Sequence, residues 1–222
     1  MEILNLGSHR IGVRLPERGL CKGKNPAILL NDGELIEQLN LRTERAVLVG
    51  VYPNNRLSEY TPWPEPAIRP GAPDFGGRLG HYHRELTNEI LPPLIDEYAL
   101  DSEKLAYGGY SLGGLAAVMS LWETEVFASV FSLCGSFWYP GVADFIEEYP
   151  LLNGSARVYL QNGTREGEGH NNRLSKATTY AQRVHTALRT ACGAKTVFDD
   201  NGHHDRQTER FCTALRWAEQ IL

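Results

Sequence analysis

The 222-residue sequence has no apolar run approaching the roughly 18 residues that a membrane-spanning helix needs. Residues 1–10 carry polar and charged side chains where a secretion signal would have an apolar stretch. Basic residues are scattered, and 22 Lys and Arg against 27 Asp and Glu give a net charge of −5. These absences argue against a transmembrane protein, a binder of anionic membrane surfaces and a nucleic-acid-binding protein.

Cysteine is also scarce. The four cysteines lie far apart and form no CxxC pair, which argues against a disulfide framework, a zinc site and a CxxC redox motif. We therefore expect reduced, structural cysteines in a cytoplasmic protein without a metal. They are Cys21, Cys134, Cys192 and Cys212.

Short apolar runs alternate with helical patterns along the chain, and the composition is that of an ordinary globular protein. This alternation predicts one α/β domain over residues 1–222, with a mainly parallel sheet covered by helices on both faces. The predicted strands are 11–15 (at the sheet edge), 27–30, 46–51, 104–108, 128–133, 157–161 and 195–198. The predicted helices are 34–42, 82–98 with a break at Pro92-Pro93, 112–121, 173–190 and 207–222, and residues 54–80 are expected to form a long loop.

The segment Gly109-Tyr-Ser-Leu-Gly113 matches G-x-S-x-G, the pattern of a nucleophile elbow. This chemistry needs a serine on a sharp turn between a strand and a helix, with small residues two positions before and after it. Ser111 has an apolar strand before it and an apolar helix after it, so it is the candidate nucleophile. A glycine-rich turn in another α/β fold would carry the same letters.

A serine nucleophile needs a histidine base, which follows the serine and the acid in this class of enzyme. Four histidines lie downstream: His170, His185, His203 and His204. His185 lies in a predicted helix beside apolar residues, which favours a packing or surface role. The pair 203–204 follows the last predicted strand, where a catalytic base is expected. A polar surface loop is the alternative for these two residues, and their spacing does not match metal ligation.

The acid should follow the strand that ends at Gln161, where the loop supplies Glu166 and Glu168. A carboxylate there would orient the imidazole and stabilise its charged form. Asp199, after the next strand, is a further alternative, and a solvated loop would have the same composition.

An oxyanion hole needs two backbone N–H groups. The first should be that of Leu112, directly after Ser111. The candidate for the second is the N–H of Glu34, because Asn31-Asp-Gly-Glu34 follows the strand 27–30 and Gly33 permits a turn. An ordinary Asp-Gly turn would explain the same segment.

Several segments, in order, resemble the esterase family that includes esterase D, the mycolyltransferases and the enterochelin (siderophore) esterases. The similarity runs from about residue 27 to residue 220, with Cys134, Tyr139 and Asn31 departing from the family pattern. The matching segments are Leu29-Leu-Asn-Asp-Gly33, Asn55-Arg-Leu-Ser-Glu-Tyr-Thr-Pro62, Glu85 to Pro93, Gly109-Tyr-Ser-Leu-Gly-Gly114, Ser132-Leu-Cys-Gly-Ser-Phe-Trp138, Gly163-Thr-Arg-Glu166 and Gly202-His203.

The resemblance implies an α/β-hydrolase fold and an acyl-enzyme mechanism without a cofactor. It favours Glu166 as the acid, since this residue fits "G-x-x-E". It favours His203 as the base, directly after a glycine, whereas the register of the mycolyltransferases would select His204. It also implies that Arg56 and Trp138 line the substrate pocket; a surface salt bridge and core packing are the respective alternatives.

The expected function is hydrolysis of a small-molecule carboxylic ester, with a siderophore ester as one candidate. An acyltransferase or thioesterase would use the same site. A non-catalytic relative that binds a ligand is the alternative of another class, although serine, histidine and acid are all present. The oligomeric state is left open.

Overall fold

The computed structural model describes all 222 residues and is built on an eight-stranded sheet. The strand order is β1-β2-β4-β3-β7-β8-β9-β10, antiparallel from β1 to β4 and parallel from there onward. Strands β5 and β6 form a separate two-stranded antiparallel sheet. The strands are β1 (Glu2–Leu6), β2 (His9–Arg14), β3 (Asn25–Asn31), β4 (Val47–Tyr52), β5 (Pro64–Glu65), β6 (Phe75–Gly76), β7 (Leu100–Tyr110), β8 (Ser129–Leu133), β9 (Arg157–Gly163) and β10 (Lys195–Asp199).

The central strands are apolar on both sides, and alternate side chains enter two separate cores. In β3, Ala27 and Leu29 pack in one core, whereas Ile28 and Leu30 pack in the other. This follows from the twofold period of a strand, which directs successive side chains to opposite faces of the sheet. Helices must therefore cover both faces, as expected for a sheet that is largely parallel.

Helices α1 and α8 pack in the smaller core on one face, and α3 to α7 contribute to the larger core on the other. No helix is long and apolar enough to cross a membrane. The helices are α1 (Leu35–Gln38), α2 (Arg56–Glu59), α3 (Leu79–Glu85), α4 (Leu91–Tyr98), α5 (Leu112–Met119), α6 (Val142–Glu148), α7 (Ala177–Cys192) and α8 (Gln207–Ile221), with a π-helical turn at Leu86–Ile90 and 3-10 turns at Ser120–Trp122 and Arg173–Lys176.

The prediction that strand 11–15 lies at the sheet edge was wrong. Strand β2 pairs with β1 on one side and with β4 on the other, so β1 forms the edge. The sequence did not reveal β1 because its residues are mostly exposed and lack an alternating apolar pattern.

Two helical predictions also differ from the structure. The predicted helix 34–42 is only the single turn α1, because the Arg14 side chain binds the carbonyl groups of Ile36 and Leu41 and Asn40 adopts a left-handed conformation. The predicted break at Pro92-Pro93 is a π-helical turn just before the prolines. Proline cannot donate to the carbonyl four residues earlier, so the regular ladder is interrupted there.

Candidate active site

Ser111 occupies the sharp turn between β7 and α5. Its backbone has φ 60° and ψ −120°, a strained conformation for a residue with a side chain, and its N–H donates to the Leu133 carbonyl over 2.9 Å. Glycine is required on both sides of the turn: a Cβ on Gly109 would lie 2.5 Å from the Gly113 carbonyl carbon, and one on Gly113 would lie 2.9 Å from Cβ of Asn31. The local geometry is that of a nucleophile elbow.

The imidazole of His203 lies between a hydroxyl and a carboxylate. Its Nε2 is 3.1 Å from Oγ of Ser111, and its Nδ1 is 2.9 Å from Oε2 of Glu166. The loop after β10 carries His203, and the hydroxyl of Tyr110 donates to the His203 carbonyl. The neighbouring His204 packs edge-on against the His203 ring, with centroids 4.9 Å apart, and makes no hydrogen bond to Ser111.

The carboxylate that reaches His203 is that of Glu166, which follows β9 and is buried. Its other oxygen, Oε1, accepts hydrogen bonds from the Gly163 N–H (2.7 Å) and from the Asn162 amide (3.1 Å). Glu168 lines the nearby cavity instead. Asp199 is bound to Arg210 and to the amide of Gln161.

Burial and hydrogen bonding act in opposite directions on Glu166. Burial by itself would raise the pKa of its carboxyl group, but the hydrogen bond and charge of His203 and the N–H of Gly163 lower that pKa below its ordinary value. Glu166 is therefore ionised at neutral pH and can stabilise a positive charge on the imidazole.

Two backbone N–H groups beside the elbow are available to a ligand. Leu112 is the first residue of α5, so its N–H has no partner within the helix. The Glu34 N–H donates to no acceptor in the chain. The Asn31–Glu34 turn lies beside the elbow, because the Asn31 amide donates to the Gly113 carbonyl over 2.8 Å.

Arg56 does not line the cavity at Ser111 but supports this turn. Its Nε and Nη2 donate to the two carboxylate oxygens of Asp32 over 2.7 and 2.9 Å, and Nη2 also lies 3.2 Å from the Tyr110 carbonyl. Asp32 has a positive φ of 57°, and its N–H donates to the Tyr60 hydroxyl. The sequence could not indicate that the partner of Arg56 lies 24 residues earlier in the chain.

A cavity of about 540 Å³ opens at Ser111 and His203. Trp138 forms part of its wall, and Ile68 and Arg69 contribute from the loop between β5 and β6. The Arg69 side chain makes no ion pair or hydrogen bond within the chain. The cavity therefore offers an aromatic surface and an unpaired cation near the nucleophile.

Sequence reasoning missed two residues that contact the site. The Ser136 hydroxyl lies 3.2 Å from the Ser111 hydroxyl, and the Ser136 N–H donates to the Ser111 carbonyl. The buried guanidinium of Arg210 lies close to the carbonyl groups of Gly202 and His203, at 3.2 and 3.4 Å. Ser136 lies within the segment 132–138 that resembles the family, but no role was assigned to it, and Arg210 belongs to no motif.

One group of potential metal ligands includes His203 and the carboxylate of Glu166 that contacts it. The ligand atoms of Cys134, Glu166 and His203 lie within 4.8 Å of one another. Burial raises the pKa of the Cys134 thiol, and the thiol also faces Arg210, whose Nη1 is 2.7 Å from Sγ. A neutral thiol beside a guanidinium is a poor cation ligand, because metal binding requires the thiolate.

The sequence profile of the family described as "Putative esterase" matches residues 7–220. The chain belongs to this esterase family. The esterase is 29% identical over 242 aligned residues to the uncharacterized protein YbbA of Bacillus subtilis strain 168, covering 96% of this chain and 95% of that protein.

Two solved structures resemble the esterase in fold. The BES protein from Bacillus cereus superimposes with a TM-score of 0.74 at 18% identity, covering 95% of this chain and 90% of that one. The siderophore hydrolase EstA from Aspergillus nidulans gives 0.69 at 17% identity, covering 96% and 90%. These findings confirm the predicted α/β-hydrolase fold, and the family confirms that the protein is a carboxylic ester hydrolase.

Proposed function

We propose that Ser111 is the nucleophile of this esterase, His203 its general base and Glu166 the acid that orients His203. The observation that carries the proposal is the pair of contacts of one imidazole, 3.1 Å to the Ser111 hydroxyl and 2.9 Å to the Glu166 carboxylate. Both distances lie within hydrogen-bonding range, and the serine lies on an elbow that exposes its hydroxyl.

In this mechanism, His203 accepts the Ser111 proton while Oγ attacks the ester carbonyl carbon. The ionised Glu166 stabilises the resulting imidazolium, which then gives its proton to the leaving alcohol. A water molecule, deprotonated by His203, cleaves the acyl-enzyme and regenerates Ser111. All these steps use groups of the chain itself, so we propose catalysis without a metal or organic cofactor.

The negative charge on the tetrahedral intermediate would be bound by the N–H groups of Leu112 and Glu34. Both are free of partners within their own elements, and both flank the elbow. We assign to Arg56 the role of holding Asp32, and with it the Glu34 N–H, in position. Backbone donors fixed in this way stabilise the developing charge without reorganisation during the reaction.

Hydrolysis is favoured over transfer to another acceptor because the site is open to water. Ser111 is partly exposed, and 26% of the His203 side chain is accessible to solvent. An acyltransferase or thioesterase would use the same serine but would benefit from excluding water from the acyl-enzyme.

For the substrate, we propose a small-molecule ester with an anionic or aromatic group, of which a siderophore ester is an example. Arg69 supplies an unpaired guanidinium and Trp138 an aromatic face beside Ser111. The likeness to a structure described as a siderophore hydrolase gives this class priority in testing. No nucleic-acid or membrane partner is part of the proposal.

We further propose that residues 1–222 form one catalytic domain, because both cores pack on the same sheet. The proposed location is the cytoplasm, since all four cysteines are unpaired and two of them are exposed.

The test combines labelling with turnover. A fluorophosphonate probe should label the protein at Ser111, and Ser111→Ala should lose both labelling and hydrolysis of p-nitrophenyl acetate while remaining folded. The loss should amount to several orders of magnitude. A panel of p-nitrophenyl esters and a ferric siderophore lactone would rank the substrates. Unchanged turnover by purified Ser111→Ala would show that Ser111 is not the nucleophile.

A further inference from the structure

The hydrogen bonds of the site continue beyond Glu166 into the core. Asn162 Nδ2 lies 3.1 Å from Oε1 of Glu166, and Asn162 Oδ1 lies 2.9 Å from Nε2 of His185. Asn162 and His185 are both buried, on β9 and α7 respectively. A connected series of five side chains therefore runs from Ser111 to His185.

The chemistry of the contacts fixes the direction of every bond in this series. Glu166 is ionised and can only accept, so the NH₂ group of Asn162 must face it. The Asn162 carbonyl oxygen then faces His185, which must donate from Nε2. The other ring nitrogen, Nδ1, is left without a proton, and this atom is buried without a hydrogen-bond partner.

The surroundings of His185 keep its ring neutral and fixed. Its ring packs against Phe198, with centroids 4.4 Å apart, and edge-on against Phe137. Burial lowers the pKa of His185 to about 4. The neutral His185 ring therefore donates one hydrogen bond from Nε2 at neutral pH.

We propose that Asn162 and His185 are positioning residues for the esterase reaction, which hold the Glu166 carboxylate in the orientation that His203 requires. This inference rests on the proposed triad and extends it by two residues. The Gly163 N–H fixes the same oxygen of Glu166 from the main chain, while Asn162 is the only side-chain amide that binds it. Without His185, the Asn162 amide would be free to rotate away from Glu166.

The other charged and titratable groups near Glu166 cannot replace this contact. Cys134 faces Glu166 but also binds Arg210, and the Arg210 guanidinium is directed to Asp199. The pKa of His185 is lowered mainly by burial; the charge of Glu166 acts in the opposite direction and raises it, and Arg189 on α7 lowers it further.

The experiment compares His185→Leu, His185→Gln and Asn162→Leu with Leu188→Ala. Gln can donate from a position close to that of Nε2, whereas Leu cannot. Leu188→Ala is the matched control, because Leu188 is equally buried on the same helix and makes no polar contact with the site. Turnover of p-nitrophenyl acetate is measured as kcat and KM across pH, and folding is checked by thermal unfolding.

We expect His185→Leu and Asn162→Leu to lower kcat roughly tenfold with little change in KM, the usual scale for one hydrogen bond to a charged group. His185→Gln should recover most of the loss. The acid limb of kcat/KM should move to higher pH in Asn162→Leu, because a carboxylate with fewer donors raises the proton affinity of the Glu166–His203 pair. A purely structural role would lower activity equally at every pH.

The proposal is overturned if His185→Leu and Leu188→Ala show equal losses of kcat with an unchanged acid limb, or if Gln restores no more activity than Leu. If the variants do not fold, NMR of the wild-type protein still tests the proposal. His185 should be in the neutral Nε2–H tautomer at pH 6, and the opposite tautomer would refute the proposal. Failure of the triad itself is recognised separately, by retained activity and labelling in Ser111→Ala.

Discussion

Arg210 binds Asp199 through two nitrogen atoms, with Nη2 2.5 Å from Oδ1 and Nε 2.9 Å from Oδ2. The guanidinium is almost fully buried and lies beneath the loop that carries His203, close to the carbonyl groups of Gly202 and His203. One ion pair between β10 and α8 thus supports the loop that places the imidazole next to Ser111.

We predict that Arg210→Met destabilises the protein by about 2 kcal/mol at neutral pH, the scale of hydrogen bonds to charged groups. Burial alone would raise the pKa of Asp199, but its hydrogen bonds to Arg210 and neighbouring amides lower this pKa to about 2, from an ordinary value of 3.8. A depressed pKa contributes stability above the unfolded value and loses it as pH falls through the folded value. Urea unfolding should therefore show a difference between wild type and variant that shrinks from pH 5 towards pH 2.

The control for this prediction is Arg183→Met. Arg183 pairs with Asp144 and Glu147, but these groups are exposed, and exposed pairs contribute about 1 kcal/mol or less. A difference for Arg210→Met that is no larger than for Arg183→Met, or that does not change with pH, would contradict the assignment of the Asp199 pair as a stabilising contact.

We predict that His203→Ala loses at least about a thousandfold in kcat/KM, nearly as much as Ser111→Ala, because members of one triad act as a unit. His204→Ala should keep most activity, since His204 packs on His203 and lines the cavity without reaching Ser111. The rates at which the two variants hydrolyse p-nitrophenyl acetate show whether His203 or His204 is the base. The reverse order of activities would make His204 the base.

We predict that Trp138→Ala mainly changes KM and that Arg56→Lys mainly changes kcat. Trp138 lines the cavity, so its loss should raise KM for a bulky ester more than for an acetate. Arg56 holds Asp32 through a two-nitrogen contact that lysine cannot reproduce, so Arg56→Lys should lower kcat for both substrates to a similar extent. A selective effect of Arg56→Lys on the bulky ester would instead place its guanidinium in the substrate pocket.

The parallel part of the sheet could be predicted from the sequence because each of its strands contains a short apolar run. A run such as Ala27–Leu30 predicts a strand even when its neighbouring strands are unknown, because burial on both faces of the sheet produces a continuous apolar pattern. Strand β1 was not predicted because it is largely exposed and lacks an alternating apolar pattern. Helix α6 was not predicted because its apolar spacing, Val142, Phe145 and Ile146, extends over only seven residues. The elbow was recognisable for a local reason: its glycines and serine are adjacent in the chain.

The rest of the site depends on contacts between distant segments. His185 has the sequence context of a packing residue, and only the approach of α7 to β9 brings its ring to Asn162. Arg56 was expected at the substrate and instead pairs with Asp32. A motif identifies which residue types are present, but the partner of a polar side chain is determined by the fold.

The last prediction concerns His9, which does not line the cavity and is buried between two carboxylates. Its Nε2 lies 3.4 Å from Oε2 of Glu59, and its Nδ1 lies 3.2 Å from Oε1 of Glu85. Burial alone would lower the pKa of His9, but the hydrogen bonds and charges of Glu59 and Glu85 outweigh it and raise this pKa above 6.5. A raised pKa contributes stability that is fully present below pH 6.5 and is lost as pH rises through the folded value.

His9→Asn should therefore destabilise the protein more at pH 6 than at pH 9, by about 1.5 to 3 kcal/mol at the lower pH, the range for hydrogen bonds to charged groups. Urea unfolding at the two pH values measures this difference. His81→Asn is the control, because His81 is mostly exposed and its Nδ1 is 4.0 Å from Glu85, so its replacement should have little effect at either pH. Equal destabilisation by His9→Asn at both pH values would show that His9 is neutral in the fold and stabilises it through packing against Tyr82 instead.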